Sequence, residues 1–172
     1  SWTREVVRTT TRADGGWTAS LKTPPAGGPF TLEVRSNGET KRVADVLVGE
    51  VWLGSGQSNM EMWVGDVAGG YGGVKDWQAE VAKADLPRVR LFDVANRISA
   101  RAEDDAEGAW KVATPDAVAR FSATAFFFGR KLHEELGVPI GLVTADWGGT
   151  PAEAWMSEEA IEHHGGFADA LA

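Results

Sequence analysis

The 172-residue sequence has no cysteine, and this absence excludes disulfide bonds and thiolate metal sites. It also has no apolar run long enough to cross a bilayer. Basic residues are in the minority, since 17 Lys and Arg stand against 25 Asp and Glu and give a formal net charge of −8. A surface of that sign repels phosphate backbones and anionic lipid head groups, so nucleic acid and membranes are poor partners. The composition leaves the cellular compartment open.

The first 45 residues have the pattern of antiparallel β structure. Apolar residues alternate with polar ones at Phe30, Leu32 and Val34, and the run Ser-Asn-Gly-Glu follows at 36–39. Asn-Gly accepts the positive φ angles of a two-residue hairpin turn, so a return strand is expected directly after it. We therefore predict that residues 1–45 are a β-rich segment, the end of a small antiparallel β domain.

The remaining sequence has the order of elements of an α/β fold. Residues 46–53 and 138–145 are nearly continuous in apolar residues, as strands covered on both faces are, and residues 87–92 predict another short strand. Apolar residues recur at helical spacing over 118–136, and Gly137 is a natural cap for that helix. Strand, helix and strand in this order predict an α/β domain with a parallel sheet.

The loop after the first of these strands has the chemistry of a nucleophile site. Residues 54–60 are Gly-Ser-Gly-Gln-Ser-Asn-Met, and the small residues permit a sharp turn that leaves Ser58 at a helix N-terminus. Backbone N–H groups and the helix dipole at such a place stabilise the oxyanion that forms when a serine attacks an ester. An ordinary helix N-cap would also explain Ser58. Met60 departs from the Gly-x-Ser-x-Gly elbow of α/β-hydrolases.

A second loop of unusual composition follows the last predicted strand. Two glycines, Gly148 and Gly149, precede a capping-box pattern that runs from Thr150 to Glu153. Parallel α/β sheets place their ligand sites at the carboxyl ends of the strands, so both loops are expected at one edge of the sheet. The N–H groups of the two glycines are therefore candidates for an oxyanion hole, although the same glycines would also serve a tight strand-to-helix turn.

Five runs of sequence along the chain are recognisable motifs. They are Ala-Gly-Gly-Pro-Phe at 26–30, the block around Gly-Gln-Ser-Asn-Met at 45–62, Phe-Ser-Ala with Phe-Phe-Gly-Arg in 121–130, Gly-Val-Pro-Ile-Gly-Leu at 137–142, and Trp-Gly-Gly-Thr-Pro-Ala-Glu-Ala-Trp at 147–155. Together they closely resemble the sialate O-acetylesterase family of SGNH (GDSL-like) hydrolases. The resemblance implies a three-layer α/β/α, flavodoxin-like domain with a parallel sheet, of which residues 46–172 are the N-terminal half. It implies removal of O-acetyl groups from sialic acid or acetylated xylan-type glycans without a metal or cofactor, and it favours an extracellular or periplasmic protein.

The resemblance also assigns roles to individual residues. Ser58 corresponds to the nucleophile that carries the acyl group. Its own N–H, with that of Gly149 and then that of Gly148, corresponds to the donors of the oxyanion hole. The residues expected to support the loops without reacting are Gln57, Asn59 and Thr150.

A serine nucleophile needs a base, and the three histidines fit that role poorly. His133 lies one position off the apolar stripe of the predicted helix. His163 and His164 fit the end of a helix that starts after Ser157, and adjacent helical residues point about 100° apart, which makes them a poor metal-binding pair. We therefore expect the catalytic His and Asp from sequence outside this chain, on a second polypeptide or on a missing C-terminal portion that completes the domain.

The sequence alone is also consistent with other functions. A homologue that keeps the fold but lacks the base would be a non-catalytic carbohydrate-binding or scaffold protein. The same scaffold could also hydrolyse a lipid ester or a thioester. The identity of the acetylated sugar is not specified by these motifs.

Overall fold

The computed structural model describes residues 6–66 and 72–165. The chain divides into two compact units between Glu50 and Val51, whereas the sequence predicted a division between residues 45 and 46. Within the described residues, no helix has the length and apolar character needed to cross a membrane.

The first unit contains a β-hairpin. Strand β1 (Gly27–Ser36) pairs antiparallel with β2 (Glu39–Val48), and Asn37 and Gly38 make the turn with φ angles of 48° and 84°. The predicted Asn-Gly hairpin is therefore confirmed. The predicted strand over 46–53 is wrong as a single element, because its first three residues end β2 and the rest begins a new strand.

The second unit contains a four-stranded sheet in the order β3-β6-β4-β5. Its strands are β3 (Glu50–Gly56), β4 (Leu86–Asp93), β5 (Trp110–Ala113) and β6 (Ile140–Asp146). Strands β4 and β6 run parallel, while β5 pairs antiparallel with β4 at the edge. The α/β class is confirmed, and the sheet is mixed because of β5, a strand that was not predicted from the sequence.

The second unit also contains helices. They are α1 (Ser58–Glu61), α2 (Trp77–Ala82), α3 (Pro115–Ala119), α4 (Ala123–Leu136), a 3-10 helix (Ala152–Trp155) and α5 (Glu158–His164). Of these, α1, α3 and α4 contact strands of this sheet. The largest fully buried core side chains include Val64, Val89, Leu91, Val118, Phe126, Ile140 and Leu142. Helix α4 approaches β6 so closely that a Cβ on Gly129 would lie 2.5 Å from Leu142 Cδ1.

The predicted helix over 118–136 is two helices, α3 and α4. The break arises because the chain before α4 pairs with residues near 64, where Val64 N–H donates to the carbonyl of Phe121 at 3.1 Å. Ser122 then starts α4, since its Oγ accepts from Ala125 N–H at 3.2 Å. Gly137 ends α4 with φ 65°, as predicted.

Several apolar side chains that were predicted to be buried are exposed. On α4, Phe128 is 44% exposed and Leu136 is 54% exposed, because the new start of the helix turns another face to the core. On β3, Val51 and Leu53 are 65% and 68% exposed, since β3 is the end strand of the described sheet. Trp52 packs edge-on against Phe128, with ring centroids 5.1 Å apart, outside the core.

Candidate active site

Ser58 lies where β3 turns into α1, at the position that the sequence predicted. Gly56 makes the turn with φ 154°, and Gln57 caps the helix. The Gln57 side-chain oxygen accepts from Ser58 N–H at 3.2 Å and from Ser58 Oγ at 2.9 Å. Met62 N–H donates to the Ser58 carbonyl at 3.0 Å and closes the single helical turn. Ser58 is half-buried, so its hydroxyl stands at the surface on a fixed backbone.

The residues that flank Ser58 hold the turn in two ways. Gln57 does so with its side chain, through the two bonds to Ser58. Asn59 contributes through its carbonyl, which accepts from Thr124 Oγ1 at 2.9 Å and ties α1 to the first turn of α4. The supporting role of this pair in the reaction stays a prediction.

The second loop meets the first at the carboxyl ends of β3 and β6. Trp147 N–H donates to the carbonyl of Gly56 at 3.1 Å, directly before the nucleophile turn. One residue later, Gly148 N–H donates to Glu61 Oε2 at 2.8 Å, so the loop is also bonded to the end of α1. The two loops therefore form one constellation around Ser58, as strand ends at one sheet edge should.

The three predicted oxyanion donors differ in their present partners. Gly148 N–H points to the Glu61 carboxylate, and that carboxylate would have to move before an oxyanion could replace it. Ser58 N–H is held by Gln57. Gly149 is exposed, has φ 80°, and has open space where a Cβ would stand. Gly149 is thus the glycine best placed to meet a ligand, and the role of all three stays a prediction.

Thr150 supports the second loop, but the predicted capping box is wrong. The 3-10 helix begins at Ala152 and its N-cap residue is Pro151, with no side-chain cap hydrogen bond. The Thr150 hydroxyl is committed elsewhere, because it donates to the Trp147 carbonyl at 2.7 Å and accepts from Trp155 Nε1 at 2.8 Å. The threonine therefore bridges the two ends of the loop and does not cap the helix.

A polar cavity of about 200 Å³ lies beside this constellation and was missed from the sequence. Carboxylates from three elements line it: Glu61 from α1, Asp93 from the end of β4 and Asp146 from the end of β6. The carboxyl ends of parallel strands meet at one edge, so acidic residues at two strand ends were the signal that could have found it. No group of three His, Asp or Glu side chains has metal-binding geometry in the part of the chain that the structure describes.

Asp146 is the buried carboxylate of the cavity lining, with 9% of its surface exposed. Burial, and then the charges of Asp93 and Glu61, raise the pKa of Asp146 from 3.8 to about 6. Thr144 stands two residues earlier on the same face of β6, and its Oγ1 donates to Asp93 Oδ1 at 3.0 Å. The lining of the cavity thus has three carboxyl groups and, in Arg120, one basic side chain.

No described hydrogen bond of Ser58 involves a histidine. His133 Nδ1 lies 2.7 Å from the carbonyl of Val138, which precedes β6. That is the end of the strand opposite to Asp146, and a seven-residue strand is roughly 20 Å long. His163 and His164 lie in the last turn of α5, whose predicted start after Ser157 is confirmed. Ser58 Oγ donates to a glutamine, and none of its described hydrogen bonds involves an imidazole.

Comparison with known proteins gives consistent matches over most of the chain. A family model described as carbohydrate esterase, sialic acid-specific acetylesterase, matches residues 48–166. The sialate O-acetylesterase of Rattus norvegicus is 35% identical over 158 residues, which are 85% of this chain and 28% of that protein. The Homo sapiens protein of the same name is 34% identical over 161 residues, with 85% and 29% covered.

A solved structure extends the comparison to the fold. The crystal structure of a carbohydrate acetylesterase from Xanthomonas citri superposes with a TM-score of 0.76 and 39% sequence identity. The match covers 84% of this chain and 32% of that one. The chain therefore spans between a quarter and a third of the length of the relatives that it matches.

Proposed function

Because the chain belongs to the sialic acid-specific acetylesterase family of carbohydrate esterases, we propose that it carries the nucleophile of a carbohydrate O-acetylesterase. The observation that carries the proposal is the position of Ser58. Ser58 follows the carboxyl end of β3 and is the first residue of α1, and the loop after β6 is hydrogen-bonded to the same turn. A serine hydroxyl, backbone donors and a polar cavity thus meet at one edge of the sheet.

The chemistry of this arrangement is acyl transfer. Ser58 Oγ attacks the acetyl carbonyl carbon, a C–O bond forms, and the carbonyl oxygen becomes an oxyanion. Ser58 N–H and Gly149 N–H are the proposed donors to that oxyanion, and Gln57 must release Ser58 N–H for this purpose. Collapse breaks the bond to the sugar oxygen, which takes the proton that the serine lost. Water then cleaves the acetyl-enzyme to give acetate and restores the serine.

The base and its orienting acid are proposed to come from polypeptide outside these 172 residues. The histidine on α4 lies near the end of β6 that is opposite to Asp146, and the matched region is between a quarter and a third of the length of the relatives. Intact mass of every polypeptide in the active preparation tests this proposal. A longer chain or a second chain is expected, whereas full activity from the 18.4 kDa chain alone would contradict it.

A fluorophosphonate probe tests the nucleophile directly. The complete protein should be labelled at Ser58, and Ser58→Ala should lose both the label and the hydrolysis of acetyl esters. Ser55→Ala is the matched control, because Ser55 is an exposed serine three residues earlier, near the end of β3. Acetyl-ester hydrolysis that persists in Ser58→Ala, or a label carried by Ser55, would refute the assignment.

One observation favours a second function, that of a non-catalytic carbohydrate-binding homologue. The Ser58 hydroxyl is satisfied by Gln57, an amide that does not act as a general base. In that case the complete protein would bind sugars but would neither react with the probe nor release acetate. The same labelling experiment therefore separates the two functions.

A further inference from the structure

The polar cavity next to α1 is lined by charged side chains that have no role in the proposed acyl transfer. Glu61, Asp93 and Asp146 line it together with Trp63 and Arg120, and it encloses about 200 Å³. Glu61 lies three residues after Ser58 on α1, and residues at that spacing share one helix face about 5–6 Å apart. Glu61 therefore connects the lining of the cavity to the short helix that begins at the proposed nucleophile.

Asp146 gives this cavity an unsatisfied hydrogen-bonding group. Only 9% of the residue is exposed, and its carboxyl group has no hydrogen-bond partner among the described residues. A buried polar group without a partner costs stability, and a carboxylate forms strong hydrogen bonds to donors. The geometry thus favours a ligand that brings hydroxyl or other donor groups into the cavity.

We propose that this cavity, which we call the acid cavity, binds the sugar ring of the substrate through its hydroxyl groups and selects uncharged sugars over sugars that carry a carboxylate. The inference rests on the proposed acetylesterase function, because that function supplies the sugar. It adds a preference among sugars, and this preference differs from the sialic acid in the description of the family model, because sialic acid carries a carboxylate.

Size and charge both support the assignment. Clefts for drug-sized ligands enclose about 300–1,000 Å³, so the smaller acid cavity suits a single sugar ring. Trp63 offers an aromatic surface for the apolar face of such a ring. Three carboxylates and one guanidinium line the cavity. Burial first, and then the charges of Asp93 and Glu61, raise the pKa of Asp146. A carboxylate on the ligand would meet like charges there.

Arg120 is the group that could reverse this preference. It lines the same cavity, is exposed at its rim, and forms no ion pair in the described structure. A guanidinium in that position could bind the carboxylate of an acidic sugar. The experiment must therefore test Arg120 together with the acidic residues.

Binding of a matched pair of sugars to the complete protein separates the alternatives. Methyl glucoside and methyl glucuronoside differ only in an uncharged hydroxymethyl group against a carboxylate. Their dissociation constants are measured at pH 7 by saturation-transfer NMR for the wild type, Asp93→Asn and Arg120→Gln. Asp85→Asn is the matched control, because Asp85 is an exposed residue outside the cavity.

The expected result is tighter binding of the glucoside. Asp93→Asn should reduce the preference by about threefold to thirtyfold, as removal of one charge near a ligand carboxylate does at moderate salt. Asp85→Asn should leave the preference unchanged. A partly unfolded variant would weaken both sugars alike, so the ratio of the two constants remains interpretable.

Three results overturn the inference: equal or tighter binding of the glucuronoside, binding of neither sugar, or selective loss of glucuronoside binding in Arg120→Gln. The proposed function is tested separately with 4-nitrophenyl acetate, an acetyl ester without a sugar. Hydrolysis of that ester by Ser58→Ala would reject the function, whereas the sugar preference is measured by binding and stands or fails on its own.

Discussion

Replacement of Asp146 by asparagine should stabilise the protein at neutral pH and have little effect at acidic pH. Asp146 ends β6 with 9% of its surface exposed, and its neighbours in the cavity are two further carboxylates. Asparagine has the same shape but no charge to bury. The substitution therefore removes the cost of ionising a carboxyl group in this place and keeps its packing.

The magnitude follows from the pKa of Asp146, which burial raises from 3.8 to about 6 in the folded protein. The folded state then holds a proton between about pH 4 and pH 6 that the unfolded state has already lost, so the unfolding free energy falls as pH rises through this window. The two pKa values differ by about 2 pH units, and each unit corresponds to about 1.4 kcal/mol. The full cost above pH 6 is about 3 kcal/mol, and the opening of the cavity to solvent reduces it.

Urea unfolding of the complete protein at several pH values between 4 and 8 measures this effect. The quantity of interest is the unfolding free energy of Asp146→Asn minus that of the wild type, because the other titrating groups cancel in the difference. It should rise by about 1–3 kcal/mol from pH 4 to pH 7. Asp85→Asn, an exposed aspartate, should show no such rise. A flat difference, or one that falls with pH, would mean that a cation such as Arg120 stabilises the Asp146 carboxylate.

Two further substitutions test the packing around the site. Gly129→Ala should lower the unfolding free energy by about 1–3 kcal/mol, because the new Cβ would lie 2.5 Å from Leu142 Cδ1 in a packed core. This cost should exceed the gain from the higher helix propensity of alanine. A variant that is more stable than the wild type in urea unfolding would contradict the prediction. Thr150→Val should cost about 1–2 kcal/mol and slow acetyl-ester hydrolysis, since it removes the hydroxyl between Trp147 O and Trp155 Nε1. Thr150→Ser keeps that hydroxyl and should behave like the wild type, so equal losses in both variants would reject the bridging role.

Features that depend on neighbouring residues in the sequence were predictable. The Asn-Gly turn, the Gly137 cap and the start of α5 after Ser157 each follow from the local conformational preference of one or two residues. The position of Ser58 belongs to the same class, because a run of small residues after a strand specifies the sharp turn by itself. The class of fold followed from the order of these elements.

Features that depend on distant segments were not predictable in the same way. The apolar spacing over 118–136 continues through the break between α3 and α4, because the break is caused by a hydrogen bond from Val64, more than fifty residues earlier. Likewise, the acid cavity brings together Glu61, Asp93 and Asp146, which share no local pattern. Only the rule that parallel strands end at one sheet edge connects them, and it indicates proximity without the register that sets the contacts.

Two features of the second unit, the exposed apolar residues of β3 and the lack of a described histidine at Ser58, can be explained by one further segment. Val51 and Leu53 have exposed side chains on the end strand of the described sheet. Burial of each side chain would add about 1.5–3 kcal/mol to the free energy of unfolding. Ser58 lies at the carboxyl end of that same strand without a described contact to a histidine. A further segment packed along β3 would cover the first two residues, and its own strand-end loop would then lie beside Ser58. The polypeptide that completes the sheet and the polypeptide that supplies the base are therefore expected to be one and the same.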